Sequence, residues 1–189
     1  TGPVTAEESR FDRDCEFSDT VFEAETRLEE ITCGDDTCFA GATFENLVSF
    51  RGGSFSGRSN AMDDNTNFAE TTFADEAVFE QVQLRASTFA DATFEGPARF
   101  RECRVDGDVQ FTDTTFEAEA NFAEARFRED ATFAGAHFAT EARFKGAVFE
   151  GGARSLEDDV SFEGATFAGL AQFGEAEFRY SNFEAATFR

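Results

Sequence analysis

The sequence predicts an all-β solenoid: a four-sided coil of about eight turns, with about 22 residues in each. Three observations carry this. Phenylalanine recurs through FEAEANFAEARFREDATFAGAHFATEARFKGAVFE (116–150) at 116, 122, 127, 133, 138, 144 and 149, so steps of six and five alternate. A small residue stands two places before nearly every one of these rings, as at Ala120, Ala125, Ala131, Ala136, Ala142 and Ala147. Once four centres are taken as one turn, all variation in step length falls on a single edge of the coil. An amphipathic helix would space its apolar residues by three and four, and a flat strand by two, so neither accounts for this period. A fixed long period marks a unit that buries its apolar residue by stacking on its neighbours.

Residues 1–10 (TGPVTAEESR) hold no Phe and read as a lead-in. From Phe11 the apolar centres run 11, 17, 22, 28, 33, 39, 44, 50 and 55, with Leu28 and Cys33 in place of Phe. Thirteen residues then pass before Phe68. The period resumes at 73, 79, 84, 89, 94, 100, 105, 111 and 116, with Leu84 and Val105 as substitutes, and runs on to 149. A second thirteen-residue gap leads to Phe162, followed by 167, 173, 178, 183 and 188.

Let the faces be numbered one to four from Phe11. The step from face two to three is five throughout, from three to four six, and from four to one five. The step from face one to two reads six, six, thirteen, five, and then repeats that series. The long loops at 56–67 and 150–161 are therefore expected on one edge, four coils apart, or ~19 Å along the axis at ~4.8 Å per coil. The same phasing exposes a tandem duplication offset by 94 residues: FSDTVFEAE (17–25) matches FTDTTFEAE (111–119), and RASTF at 85 matches RYSNF at 179. One continuous solenoid results, with a first four-coil unit over 11–104 and a second over 105–189.

Two unbroken ladders of rings follow. Face two carries Phe17, Phe39, Phe68, Phe89, Phe111, Phe133, Phe162 and Phe183; face three carries Phe22, Phe44, Phe73, Phe94, Phe116, Phe138, Phe167 and Phe188. Rings one coil apart can stack offset along the axis. Each buried Phe is worth roughly 1.5–3 kcal/mol before ordering costs.

The composition sets the surface. There are 27 Phe, one Tyr and no Trp, and 39 acidic residues face 16 basic ones for a net charge of −23. Lys145 is the only lysine. Such a surface suits concentrated salt, where screening removes self-repulsion, and favours the cytoplasm of a salt-adapted cell over a cell surface. Charge mimicry of nucleic acid would give a similar composition. No basic stripe exists to release counterions, so nucleic acid is not an expected partner. No run of eighteen apolar residues is present, so no membrane span is expected in this segment. There is no signal-peptide pattern, and the opening on Thr1 points to processing or excision from a longer protein.

Chemistry-bearing residues are few. His137 is the only histidine, and its place just before Phe138 turns it outward on a shallow face, where no third group would orient it for nucleophilic work. Carboxylates on a uniformly wet face lack the unlike environments that acid–base pairs need. No phosphate-loop or dinucleotide motif occurs, so no enzyme activity and no cofactor are expected. Asp63 and Asp64 in one long loop, and Glu157, Asp158 and Asp159 in the other, are weak candidates for a hard cation such as Ca²⁺. The alternative for both is a solvated acidic loop. Cys15, Cys33 and Cys38 fall in the first two coils, where neighbouring chain is close enough for a disulfide. The alternative is free thiols serving as small apolar residues, and Cys103 occupies such an inward position.

At this point the sequence resembles the pentapeptide-repeat proteins, whose repeat has a central Leu or Phe with a small residue two before it. ATFEG, ATFAG, ARFRE and AHFAT fit that pattern, and the resemblance covers residues 11 to 188. It implies a right-handed quadrilateral β-helix. Known members include acidic, dimeric rods that mimic DNA and bind type II topoisomerases. Two functions are accordingly expected in competition: a non-catalytic scaffold for protein contact or assembly in high salt, or an acidic inhibitor of a type II topoisomerase. The last coil stops after face three, leaving Phe183 and Phe188 on an open end. Such an end is expected either to continue into a further coil or to pair with a protein partner or a second copy.

Overall fold

The computed structural model describes residues 2–56, 66–151 and 160–189. Every described element is a two-residue strand. The strands form four parallel sheets of eight, and each sheet takes every fourth strand along the chain. That is a four-sided β-solenoid, with the sheets as its faces. Register is exact to the residue: Phe73 lies between Phe44 and Phe94 on face three, and Leu84 between Phe55 and Val105 on face one.

Hydrogen bonding alternates around the coil. On faces two and four the N–H of one coil donates to the carbonyl of the next, as from Phe39 to Asn67 and from Phe50 to Val78. On faces one and three the next coil donates back, as from Ser54 to Ile31 and from Thr43 to Thr20.

The alternation of five and six is an alternation of corners. After each centre on faces two and four, the second residue takes a positive φ, as at Asp19 (55°), Glu30 (55°), Asp91 (58°) and Gly135 (68°). The N–H one residue further commonly donates to the carbonyl of the centre, as from Ala42 to Phe39 and from Cys103 to Phe100. This is the type II turn, which demands a left-handed third residue. The corners leaving faces one and three use ordinary bends, with one more residue in most coils.

The core is a column of rings. On face two, Phe89 stacks on Phe111 at 4.8 Å and Phe111 on Phe133 at 4.8 Å. On face three, Phe73 stacks on Phe94 at 4.5 Å and Phe116 on Phe138 at 4.9 Å. Both expected ladders are therefore present. A third runs up face four from Phe50 through Phe79, Phe100, Phe122 and Phe144 to Phe173, and meets face two edge-on, with Phe100 and Phe111 at 88° and 5.4 Å.

One boundary differs from expectation. Residues 4–10 are not a lead-in but the start of the first coil: Val4–Thr5 pairs with Thr26–Arg27 on face four. Its centre is Ala6, packed against the core. A search for Phe passes over it because the ring is absent, while the β-branched pair and the left-handed Glu8 two places on keep the pattern.

Both long insertions leave face one and rejoin face two. Ser54–Phe55 is followed by Thr66–Asn67, and Val148–Phe149 by Val160–Ser161. They share one edge, four coils apart, as the spacing requires. Asp63, Asp64, Glu157, Asp158 and Asp159 lie outside the described residues.

Candidate functional surface

Because register is fixed, the residue before and the residue after each centre form outward rows that climb the rod at ~4.8 Å per coil. These rows sort the charge. Among the described residues, every arginine and the lysine lie on faces one and four or at the corner after face one, except Arg189 on face three. Five of these cations pair along the axis: Arg51 with Glu80 at 3.0 Å, Arg101 with Glu124 at 3.2 Å, Arg128 with Asp106 at 3.0 Å, Arg143 with Glu119 at 2.9 Å, and Arg99 with Glu76. The hydrogen bond from Arg143 also lowers the Glu141 carboxyl below its ordinary range. Exposed pairs of this kind contribute at most ~1 kcal/mol each, so their meaning is neutralisation rather than stability.

Faces two and three are different. The row before the centres of face two is uncharged from the second coil on (Cys38, Asn67, Thr88, Gln110, Thr132, Ser161 and Asn182), and the row after them is charged only at Glu163 and Glu184. Several of these cap their own turns, as Asn67 Oδ1 accepts from the Ala69 N–H at 2.8 Å and Thr132 Oγ1 from the Ala134 N–H at 3.2 Å. Face three carries a threonine row, Thr43, Thr72, Thr93, Thr115, Thr166 and Thr187, interrupted by His137 between Thr115 and Thr166. Two lines of exposed carboxylates border it. Asp19, Glu70, Asp91 and Asp113 stand on the left-handed corner from face two, and Glu23, Glu45, Glu95 and Glu117 follow the centres of face three. No ion pair among the described residues reaches any of the eight. The lines run through the first five coils. Above them the corner and the row after the centre hold Gly135, Ala139, Gly164 and Ala168.

The cysteines are free thiols, so of the two alternatives for Cys15, Cys33 and Cys38 the structure holds the unbridged one. Register keeps Cys38 apart from Cys15. Cys38 pairs with Glu16 and faces outward, where Ser18 Oγ donates to its sulfur at 3.2 Å, whereas Cys15 pairs with Thr37 and faces inward. Cys15 and Cys33 meet in the core as hydrogen-bonded thiols; burial pushes Cys15 up and Cys33 up to about 11. Buried Cys103 is pushed up to about 12 by desolvation. Thiols so disfavoured as thiolates are packing groups, not nucleophiles.

His137 is half-buried in the threonine row, and no base or nucleophile constellation assembles around it among the described residues. Two hollows, one at Asp12, Arg13, Asp14 and Asp35 and one on face four between Arg27, Arg51, Glu76 and Arg99, are open and lined by charge. Asp14, Asp35 and Asp36 bring three carboxylates within 4.8 Å of one another, but wet acids of this kind do not by themselves make a cation site. At the C-terminal end Phe183 is half-buried and Phe188 is 55% exposed, whereas Phe167, one coil below, is fully buried.

A family model described as pentapeptide repeats (9 copies) matches residues 61–104 and 111–154. No curated protein matches the chain. Among solved structures, two trypsin-treated variants of QnrB1, described as a plasmid-mediated fluoroquinolone resistance protein, are similar. One has 17% identity and a TM-score of 0.43, covering 100% of this chain and 91% of that one. The other has 15% identity and a TM-score of 0.27 over the same shares. HetL, a pentapeptide repeat protein involved in heterocyst differentiation regulation from the cyanobacterium Nostoc sp. strain PCC 7120, has 14% identity and a TM-score of 0.18, covering 97% of this chain and 90% of that one.

Proposed function

The chain is a pentapeptide-repeat protein, and we propose that it acts without catalysis, as a rigid rod that binds a protein partner through faces two and three while faces one and four stay turned to solvent. The partition of charge carries this reading: every ion pair among the described residues lies on faces one and four or their corners, and the eight acids that border the threonine row stand in lines that none of those pairs reaches. Electrostatic complementarity of that kind steers encounter and fixes register. The uncharged rows between the lines let a partner approach the strands closely. Affinity capture from the source cell in its own salt tests it. Neutralising Glu45, Asp91, Glu95, Asp113 and Glu117 together should lose the captured protein, and neutralising five acids on faces one and four should not. Equal loss with both sets, or turnover of a small substrate at a defined cleft, would overturn the reading.

A second reading is favoured by the lines themselves: an acidic mimic of DNA that inhibits a type II topoisomerase. Eight carboxylates over five coils amount to one charge per ~3 Å of axis, against one per ~1.7 Å for duplex DNA. Inhibition of gyrase supercoiling that disappears with the five-fold neutralised variant would support it, and no effect on gyrase would remove it. We also propose that part of the acidity serves work in concentrated salt.

A further inference from the structure

We propose that Cys15 and Cys33, with Thr37 beside them, form a binding site for a soft, thiophilic metal ion such as Cu(I), on the inner side of the corner between faces one and two. The site lies inside the rod, so it is independent of the partner-binding reading of faces two and three.

Register brings the three side chains together. Cys15 and Thr37 are neighbours in the inward row of face two, and Cys33 is the centre of face one in the second coil, between Phe11 and Phe55. All three are buried. The two sulfurs are hydrogen-bonded to each other. Metal–sulfur bonds of ~2.3 Å hold two sulfurs on one ion ~3.8–4.6 Å apart, a span that a thiol–thiol contact already approaches.

The Thr37 hydroxyl is a separate observation that points the same way. Thr37 is 2% exposed and its Oγ1 has no well-formed hydrogen bond. It lies against the Cys33 sulfur, where it favours the thiolate. Buried hydroxyls are normally satisfied, and this one is aimed at the atom that would carry charge in a metal complex.

The duplication isolates what is special to this corner. Shifted by 94 residues, Cys15, Cys33 and Thr37 become Val109, Phe127 and Ala131, all buried. The second unit thus closes the same corner with apolar groups, and a thiol of the first unit stands where the second has a ring. Packing is satisfied without sulfur or hydroxyl, yet the three polar replacements occur together.

The donors select the ion. Two sulfurs suit a soft ion content with two ligands; they fall short of four-coordinate zinc and offer nothing to a hard cation. Burial keeps the protons on both thiols, which makes them poor nucleophiles, but a thiophilic ion replaces those protons. One Cu(I) enters, two S–H bonds break, two S–metal bonds form and two protons leave. The complex carries one negative charge, and the Thr37 hydroxyl donates to it at the Cys33 sulfur. On the outer side of the corner Asp14 directly precedes Cys15 and Asp36 directly precedes Thr37; with Asp35 they set three carboxylates within 4.8 Å of one another, placed to attract a cation.

Anaerobic titration of the chain with Cu(I), supplied as its acetonitrile complex, tests this by the ultraviolet thiolate-to-copper band and by proton release. The expected result is one ion per chain and two protons released. Cys15→Val and Cys33→Phe each install the residue that the second unit holds, so both should keep the fold by circular dichroism and lose the band. Thr37→Val should weaken binding about tenfold. Cys38→Ser and Cys103→Ala should bind as the unchanged chain does. Absence of the band in the unchanged chain, or a band that survives both Cys15→Val and Cys33→Phe, would overturn the proposal. So would preference for Zn(II), or uptake without proton release, which would put the ion on surface carboxylates.

Discussion

Truncating one ring in the middle of the rod should cost far more than truncating one at the end. Phe111 is 1% exposed, stacks on Phe89 and Phe133 at 4.8 Å, and meets Phe100 and Phe122 edge-on at 5.4 Å. Phe111→Ala removes a fully buried ring and leaves a cavity bounded by stiff neighbours, a loss of ~3–5 kcal/mol. Phe183 has one stacked neighbour, Phe162 at 4.9 Å, and is only partly buried, so Phe183→Ala should cost roughly half as much. Urea unfolding followed by circular dichroism measures both. At a slope of ~2 kcal/mol/M the central change lowers the midpoint by ~2 M and the terminal one by ~1 M. A solenoid is close to a one-dimensional chain of coils coupled to nearest neighbours, so the central variant should also unfold in two steps, as two four-coil blocks. Equal midpoint shifts for the two variants would refute the picture of a core stabilised coil by coil.

Gly169 lies directly over the Thr140 carbonyl, which a Cβ would strike, so Gly169→Ala should cost ~1–3 kcal/mol by urea unfolding, whereas Ala168→Gly beside it should cost less. Cys103 keeps its proton in the folded state up to about 12, while the unfolded thiol ionises near 9, so its contribution is whole below about pH 9 and is lost as pH rises toward 12. The stability–pH slope in that window should flatten by ~1.4 kcal/mol per unit in Cys103→Ala, a change for which Ala125 and Ala147 at equivalent positions show there is room. With a net charge of −23, stability should rise from low to molar salt as repulsion is screened; a midpoint flat in salt would assign the acids to a partner.

Much of the fold was legible because a solenoid writes its architecture as spacing. The step series located the four faces, the edge that carries both insertions and the rings that stack. What stayed hidden was whatever does not appear as a Phe. Ala6 centres the first coil without a ring, so residues 4–10 read as a lead-in. The face-four ladder begins only at Phe50, after Ala6 and Leu28, so its union with face two as an edge-on aromatic lattice is not apparent from composition. The cause of the alternating step was also hidden: it lies in the left-handed residue two after each centre on faces two and four, where Asp, Glu and Gly stand at all positions but Gln81 and Ala185. The surface could have been read earlier. Writing out the residues one before and one after every centre separates Arg27, Arg99 and Arg143 from Thr43, Thr93 and Thr115 with no coordinates at all.

The duplication makes the surface partition more informative than the total charge. Copying 94 residues reproduced the core, the corners and the insertion edge, and it reproduced Asp19 and Glu23 as Asp113 and Glu117. It did not keep the rest of the acidic lines: the equivalents of Glu45, Glu70, Asp91 and Glu95 are Ala139, Gly164, Ala185 and Arg189. Nothing in the packing forbids an acid at those outward sites, since Glu or Asp stands at the same positions lower in the rod. Adaptation to salt acts on the whole surface and would leave no reason for the corner after face two and the row after the face-three centres to hold eight acids over the first five coils and none over the last three. It also gives no reason for every arginine of the described residues except Arg189 to lie on faces one and four or at the corner after face one. A partner that engages the lower part of faces two and three accounts for both the polarity around the rod and the gradient along it.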